Sequence, residues 1–334
     1  MALDGVRGYA AFAVTMFHLT GYALPKSGFA AVDLFFMLSG FVLAGAYEDR
    51  LRAGLSLRGF MAERLTRLYP LYLLGVTGGL ALALPNAPAV TLREWLANLV
   101  FLAPATPGGG GFWLDPPMWS LSLEIGVNAL FAGVAWRFSN RALALIVAAS
   151  AAALAWGVLT TGGGNLGGAN DVATLGFGHA RAVFGFTLGW LAWRMRHRLA
   201  RLGTARGAGL ATLAIVAALM APAGRATSLL DVFGVFPLAL VALAFGPQPT
   251  GRLARFAAGA GALSYPLYAT HPFTMALVER AISGWGWPQA LLVAAATLAF
   301  AWLAMKTVDP LGRRALRRLF QLAGPRQPVP ALAE

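Results

Sequence analysis

Runs of about twenty apolar residues recur along this 334-residue chain, and its charged residues fall mostly between them. A bilayer core about 30 Å thick takes about twenty helical residues to cross. Only helices or closed barrels satisfy their backbone groups there, and runs of this length read as helices. Ten spans are expected, near 4–24, 29–47, 68–84, 118–136, 142–161, 174–193, 207–223, 229–246, 258–280 and 288–306. The predicted fold is all-α, a polytopic membrane helix bundle of about ten transmembrane helices. Only 12% of residues are charged, against about 25% in soluble domains. The chain has no cysteine, which excludes disulfides and thiolate metal sites, and no metal is expected. The first apolar run is too long for a cleavable signal peptide and carries Arg7 and His18 inside it.

The net charge of +13 is a matter of topology and predicts no nucleic-acid partner. With ten spans, 21 of the 26 basic residues fall on one side, leaving Lys26, Arg93, Arg181, Arg225 and Arg280 on or near the other. The positive-inside rule then places both termini in the cytoplasm. The expected location is the bacterial inner membrane, multi-pass. Residues 48–67 read as a basic, partly amphipathic cytoplasmic segment. Residues 85–117 form the longest outer loop. It holds an eleven-residue apolar helix candidate, LREWLANLVFL, too short to span, and then a Gly/Pro-rich stretch. The expected division is a membrane-embedded unit over 1–310 and a basic cytoplasmic tail over 311–334, lying on the anionic inner leaflet.

Ionisable groups at membrane depth are costly and mark function. Arg7 and His18 are eleven residues apart, which on a helix is about 20° past three turns and roughly 16 Å along the axis. They share one face with Asp4. Asp33 and Glu124 are the acidic residues that fall well inside spans. Ser120, Glu124 and Asn128 recur every four residues and form a polar stripe. Ser264, Tyr268 and His271 have helical spacing in the ninth span. Counted at about 1.5 Å per residue, His18, Asp33, Glu124 and His271 collect in the outer half. Arg7, Arg64, Arg67 and Arg194 collect at the inner surface, where a multi-anion ligand could bind.

Each residue also has a plain structural role open to it. An intramembrane histidine is most often a helix–helix hydrogen bonder. Glu124 could pair with a buried arginine, and Arg64 and Arg67 could be ordinary positive-inside residues. His271 precedes Pro272 and could bond a carbonyl freed by that proline. Trp119 reads as an interfacial belt residue. His179 and Arg181 could face a loop, and His197 lies in a basic loop. The glycines 108–111 lack the following Lys-Ser/Thr of a phosphate loop.

Five segments together resemble the acyltransferase 3 family of bacterial integral-membrane acyltransferases: LDGVRGYAAFAVTMFH (3–18), VDLFFMLSGFVLAG (32–45), FMAERLTRLYPLY (60–72), PPMWSLSLEI (116–125) and LSYPLYATHPF (263–273). They occur in the family's order, while 140–255 matches mainly in hydropathy. The resemblance implies transfer of an acyl group, commonly acetyl, from cytoplasmic acyl-CoA to a hydroxyl of a sugar or glycoconjugate. It places the family's essential histidine at His18 and its partner arginine at Arg7. The cytoplasmic arginine motif falls on Arg64 and Arg67, and the Trp-Ser-x-x-x-Glu element on Trp119, Ser120 and Glu124. The arginine pair is looser than the family's common cluster, and no appended extracytoplasmic domain follows the tenth span.

The expected mechanism makes His18 a general base toward the acceptor hydroxyl. Glu124 or Asp33 would hold the imidazole, as carboxylates do in triads. Arg7, Arg64 and Arg67 would bind acyl-CoA, with acetyl-CoA the expected donor. Trp119, Ser120, Tyr268 and His271 would line the acceptor site, and Trp113, Asp115, Asn165, Asn170 and Asp171 in the outer loops would suit a sugar. Two other readings stay open: a transporter or flippase using the buried His/Glu set for proton coupling, and an acyl-CoA-binding protein without catalysis. The acceptor and the oligomeric state are not legible.

Overall fold

The computed structural model describes residues 1–86, 88–102, 112–160, 175–282 and 286–321, and the described residues form helices and no strand. The helices are α1 (Ala2–Leu19), α2 (Ala31–Arg52), α3 (Leu57–Ala83), α4 (Pro88–Asn98), α5 (Met118–Gly133), α6 (Asn140–Thr160) and α7 (Leu175–Arg194). They continue with α8 (Arg196–Leu199), α9 (Ala205–Met220), α10 (Arg225–Leu230), α11 (Phe236–Phe245), α12 (Gly251–Glu279), α13 (Trp287–Lys306) and α14 (Val308–Leu319). A π-helical turn, Asp231–Val235, joins α10 to α11. Glycines 108–111 and Asn165, Asn170 and Asp171 lie outside the described residues.

Four helical stretches are by themselves long and apolar enough to cross a membrane: Gly28–Arg52, Asn140–Thr160, Arg225–Phe245 and Trp287–Leu319. A fifth is the bent pair Arg196–Leu202 and Ala205–Met220, which turn by 91° at their break. The other long helices carry polar residues or are short. α3 holds Arg58, Glu63, Arg64 and Arg67, and α5 has only 16 residues.

Helix directions can be read from the contacts. On α1 and α12, Gly5 faces Ala257, Gly8 faces Ala260 and His18 faces His271, so the two run parallel. α2 and α7 are parallel too, through Asp33–Arg181, Gly40–Phe186 and Glu48–Arg194. α3 and α12 are parallel through Leu68–Tyr265, Gly75–Ala269 and Gly78–Phe273. α3 and α5 are antiparallel, since Arg64 meets Glu124 and Leu57 meets Gly133.

The tightest of these seams is between α2 and α7. A Cβ on Gly40 would fall on the carbonyl oxygen of Phe186, and one on Gly189 on that of Met37. Small residues let helix backbones meet at this distance, where packing rather than hydrophobic burial holds helices together in lipid.

Three boundaries differ from the expected ones. α1 ends at Leu19, not near residue 24, because Gly21 (φ 59°) and Tyr22 (φ 70°) turn left-handed. His18 therefore sits in the last turn of its helix. Residues 48–67 are not a separate interfacial segment. α2 runs to Arg52, and α3 starts at Leu57, capped by Ser56, whose hydroxyl accepts from the Gly59 amide at 3.1 Å. α14 gives the first part of the expected tail a helix packed on α3, where Gly312 meets Pro70.

α4 is built inside out. Its polar Thr91, Glu94 and Asn98 are buried, while Val90, Leu92 and Leu96 are exposed. Glu94 accepts from the Phe112 amide at 2.6 Å, and the Asn98 carbonyl accepts from Tyr72 at 2.6 Å. The polar face is bonded to the protein except at Asn98 Oδ1, which has no partner among the described residues, and the apolar face is the one a lipid surface would cover.

The α2–α7 seam predicts that Gly40→Val destabilises the protein by about 1–3 kcal/mol, the usual cost of overpacking. Purified in detergent, it should melt below the wild type. Gly126→Ala, with no described residue within 4 Å of its new methyl group, should melt unchanged.

Candidate active site

The site is built on α12, which carries two internal prolines, Pro266 and Pro272. A proline lacks the amide that would bond the carbonyl four residues back. Pro272 therefore frees the carbonyl of Tyr268. His271 Nδ1 bonds that oxygen at 3.0 Å and the Leu267 carbonyl at 3.2 Å. The structure thus realises the role open to His271 in the sequence, and gives it a second one. Its Nε2 lies 2.9 Å from His18 Nδ1. His271 is fully buried and His18 is half-buried.

Donor counting then orders the pair. Carbonyl oxygens only accept, so Nδ1 of His271 carries its hydrogen. In a neutral ring its Nε2 is then an acceptor. His18 Nδ1 must donate to it, which leaves Nε2 of His18 with a free lone pair. This tautomer follows from the network, as hydrogen positions must be inferred from their partners. The rings lie 5.0 Å apart between centroids, and Phe17 and Tyr22 flank His18 at 5.7 Å each.

The two carboxylates have other partners. Glu124 Oε1 accepts from Arg64 at 3.0 Å and from Ser39 at 2.8 Å. Asp33 takes a two-pronged contact from Arg181, at 3.0 and 2.9 Å, and both residues are at most 2% exposed. Arg181 also donates to the Phe29 carbonyl and stacks on Trp119. The structure does not bring Glu124 or Asp33 to His18; each faces a buried arginine instead. Arg181 is therefore not loop-facing, and Trp119, 7% exposed, is not a belt residue.

Arg64 is buried rather than displayed on the protein surface. It is about 10 Å into α3 at 1.5 Å per residue, 5% exposed, at the same level as Glu124. Asp115 also departs from expectation. It is fully buried beside Gly75 rather than displayed in an outer loop, and neither carboxylate oxygen has a hydrogen-bond partner among the described residues. Asn128 is buried as well, so the stripe of Ser120, Glu124 and Asn128 faces protein.

A cavity of about 120 Å³ lies among α1, α2, α3, α5 and α12. Arg7, Arg64, Arg67 and Glu124 line it, and Ser120 and Tyr268 lie further along. Arg7 donates to Ser264 at 3.1 Å and to the Gly261 carbonyl at 3.0 Å, with Asp4 at 3.6 Å. Arg67 is exposed and has no hydrogen-bond partner among the described residues. Ser120 and Tyr268 share a hydrogen bond at 2.7 Å, and the Tyr268 ring lies 6.1 Å from that of His271. Neither histidine lines the cavity; Tyr268, which does, stands between it and the pair. Arginine forks with a polar track leading to an imidazole can hold an anionic ligand at one place and move a proton at another. Sequence reasoning left Ser39, Tyr265 and Arg181 without site roles; the best signal for Arg181 was its charge, opposite to that of Asp33 in another apolar run.

The chain matches the acyltransferase 3 family model, described as an acyltransferase domain, over residues 2–306. It is 38% identical over 173 residues to Protein 2 in the picA locus of Rhizobium radiobacter, covering 46% of this chain and 91% of that protein. It is 34% identical over 149 residues to the exopolysaccharide production protein ExoZ of Rhizobium meliloti strain 1021, covering 40% of this chain and 45% of ExoZ. To the acyltransferase MdmB of Streptomyces mycarofaciens it is 30% identical over 158 residues, or 39% of this chain and 38% of MdmB. The aligned stretches thus span less than half of ExoZ and MdmB. No solved structure gives a significant match.

Removing one partner of a buried ion pair costs about 3–5 kcal/mol. Asp33→Ala, which strands Arg181, should therefore collapse the yield of folded protein. The double change Asp33→Leu with Arg181→Met should recover much of it in size-exclusion chromatography. A stable, inactive Asp33→Ala would instead assign Asp33 to the chemistry.

Proposed function

Because the chain belongs to the acyltransferase 3 family and is an acyltransferase, we propose that it moves an acyl group, acetyl first among candidates, from cytoplasmic acyl-CoA to a hydroxyl of a sugar or glycoconjugate. The observation that carries this reading is the His18–His271 contact, which makes Nε2 the acceptor nitrogen of His18, with Tyr268 between the pair and an arginine-lined cavity. ExoZ, an exopolysaccharide production protein, supports a polysaccharide-type acceptor. The bacterial relatives support an inner-membrane location. Alternating helix directions support ten spans, and the distribution of arginines supports cytoplasmic termini.

In this mechanism the acceptor hydroxyl attacks the thioester carbonyl carbon as His18 Nε2 takes its proton. The C–S bond then breaks, the CoA thiolate leaves, and the His18 imidazolium returns the proton to sulfur. The products are an ester and free CoA. His271 is a positioning residue: it fixes the His18 tautomer and accepts from Nδ1 throughout. Arg67 and Arg7 meet the phosphates of CoA, since guanidinium forks suit phosphate oxygens. Glu124 and Ser39 hold Arg64 in register at the cavity wall. Ser120 and Tyr268 lie where the acyl end would pass, and Trp119 braces Arg181 behind them. Asp33 and Glu124 thus serve this chemistry through arginines.

General-base help is worth about 10²–10⁴-fold. His18→Ala should lower turnover by at least about 10²-fold in purified protein that still elutes as a single folded species, read as CoA thiol release. Near-wild-type turnover would remove His18 from the mechanism. His271→Ala should lower kcat while leaving KM for acyl-CoA unchanged. Arg64→Ala and Arg67→Ala should do the reverse, raising KM for acyl-CoA; an unchanged KM in both would overturn the assignment of the donor site.

A further inference from the structure

α14 lies beyond the family match, which ends at residue 306. Its sequence is VDPLGRRALRRL. At 100° per residue, Leu311, Ala315 and Leu319 form one stripe and Arg313 and Arg317 the opposite one, while Arg314 and Arg318 flank the apolar stripe on its Leu311 side. Leu311 and Leu319 are exposed, at 63% and 72%. Such a helix lies in a membrane surface with its basic face toward water. It is also anchored to the site. Gly312 packs on Pro70 of α3, one helical turn beyond Arg67. Asp309 is buried and accepts from Arg313 Nε at 2.7 Å. Its charge acts on the cavity residue Tyr265, and the charge of Arg313 acts on Arg67 together with those of Arg64 and Arg7.

We propose that α14 forms the cytoplasmic lip of the cavity and that Arg313 supplies a further phosphate contact for the nucleotide end of acyl-CoA. The inference rests on the acyl-CoA reading above. Asp309 orients the guanidinium through Nε, so its remaining N–H groups stay available for a phosphate fork, the geometry that suits this side chain. Arg67 lacks a hydrogen-bond partner among the described residues, and Arg313 adds a second cation within range of it. Like charges gathered this way, with Glu124 committed to Arg64, call for an anion carrying more than one charge. Lipid phosphates share this chemistry with CoA, and we assign Arg313 to CoA because its helix packs on α3 one turn from the cavity residue Arg67 and Arg313 lies off the Leu311–Leu319 stripe.

The test uses the full-length protein in nanodiscs of purely zwitterionic lipid and, separately, of lipid with an anionic fraction. Binding of CoA and of dephospho-CoA, which lacks the 3′-phosphate, is measured by calorimetry for wild type, Arg313→Gln and Arg313→Lys. A hydrogen bond to a charged group is worth about a ten-fold change in Kd or more. Arg313→Gln should weaken CoA at least ten-fold in zwitterionic discs, and Arg313→Lys should fall between it and the wild type. A wild-type preference for CoA over dephospho-CoA that vanishes in Arg313→Gln would place the contact at the 3′-phosphate. An equal loss for both ligands would place it at the pyrophosphate. Unchanged CoA affinity in both variants overturns the proposal, as does an effect confined to anionic discs, which would assign Arg313 to lipid. If the wild type itself binds no CoA, the acyl-CoA reading has failed rather than the role of Arg313. Matched melting temperatures show that the variants are folded. Should Arg313→Gln unfold, Arg313→Lys keeps the charge and carries the comparison.

Discussion

Everything at the site depends on how closely α1 can approach α12. A Cβ on Gly8 would strike Ala260, and one on Gly261 would strike Asp4. Because these positions are small and the helices are parallel, two residues of α1 eleven positions apart meet α12 twice. Arg7 reaches Ser264 and the Gly261 carbonyl, and His18 reaches His271. A larger residue at either glycine would lever the arginine and the histidine away together. One packing contact therefore couples the cationic end of the cavity to the imidazole pair beyond it.

A second constraint is charge. The bundle buries Asp33 with Arg181, Glu48 with Arg194, and Glu124 with Arg64. Burying two charges costs heavily in desolvation, which is repaid only when the geometry is good and the remaining polar atoms are bonded. Those requirements are largely met here. Arg181 is forked onto both oxygens of Asp33, and Glu48 also accepts from Trp190 at 2.9 Å. Two of these pairs clamp the same parallel helices, α2 and α7, near opposite ends, and fix their register. Arg64, committed to Glu124, lines the cavity together with Arg7 and Arg67.

Much of this was legible in the sequence, and the reasons it stopped are physical. Apolar runs mark most helices, because backbone groups in lipid have few other options. The shared face of Arg7 and His18 is periodicity alone, and the bond from His271 to a proline-freed carbonyl follows from the His-Pro order. Partner choice was not legible. Which of two arginines a carboxylate meets depends on distances between helices far apart in sequence: Arg181 lies 148 residues from Asp33, and hydropathy carries no information about which spans adjoin. The apolar run placed the start of the third helix near residue 68, whereas α3 begins at Leu57 and carries Arg64 inside it. α4 was legible as too short to span, but not as a helix with its polar face turned inward.

The proline at 272 has a consequence that reaches past its own helix. A helical carbonyl is ordinarily claimed by the amide four residues on, and a side chain that wants it must compete. At Tyr268 there is no competitor, because the amide hydrogen was never there. His271 takes the vacancy, and the orientation of its proton propagates across the helix seam to decide which nitrogen of His18 is bare. The direction in which a proton can move at His18 is thus written in an atom the chain lacks, two hydrogen bonds away.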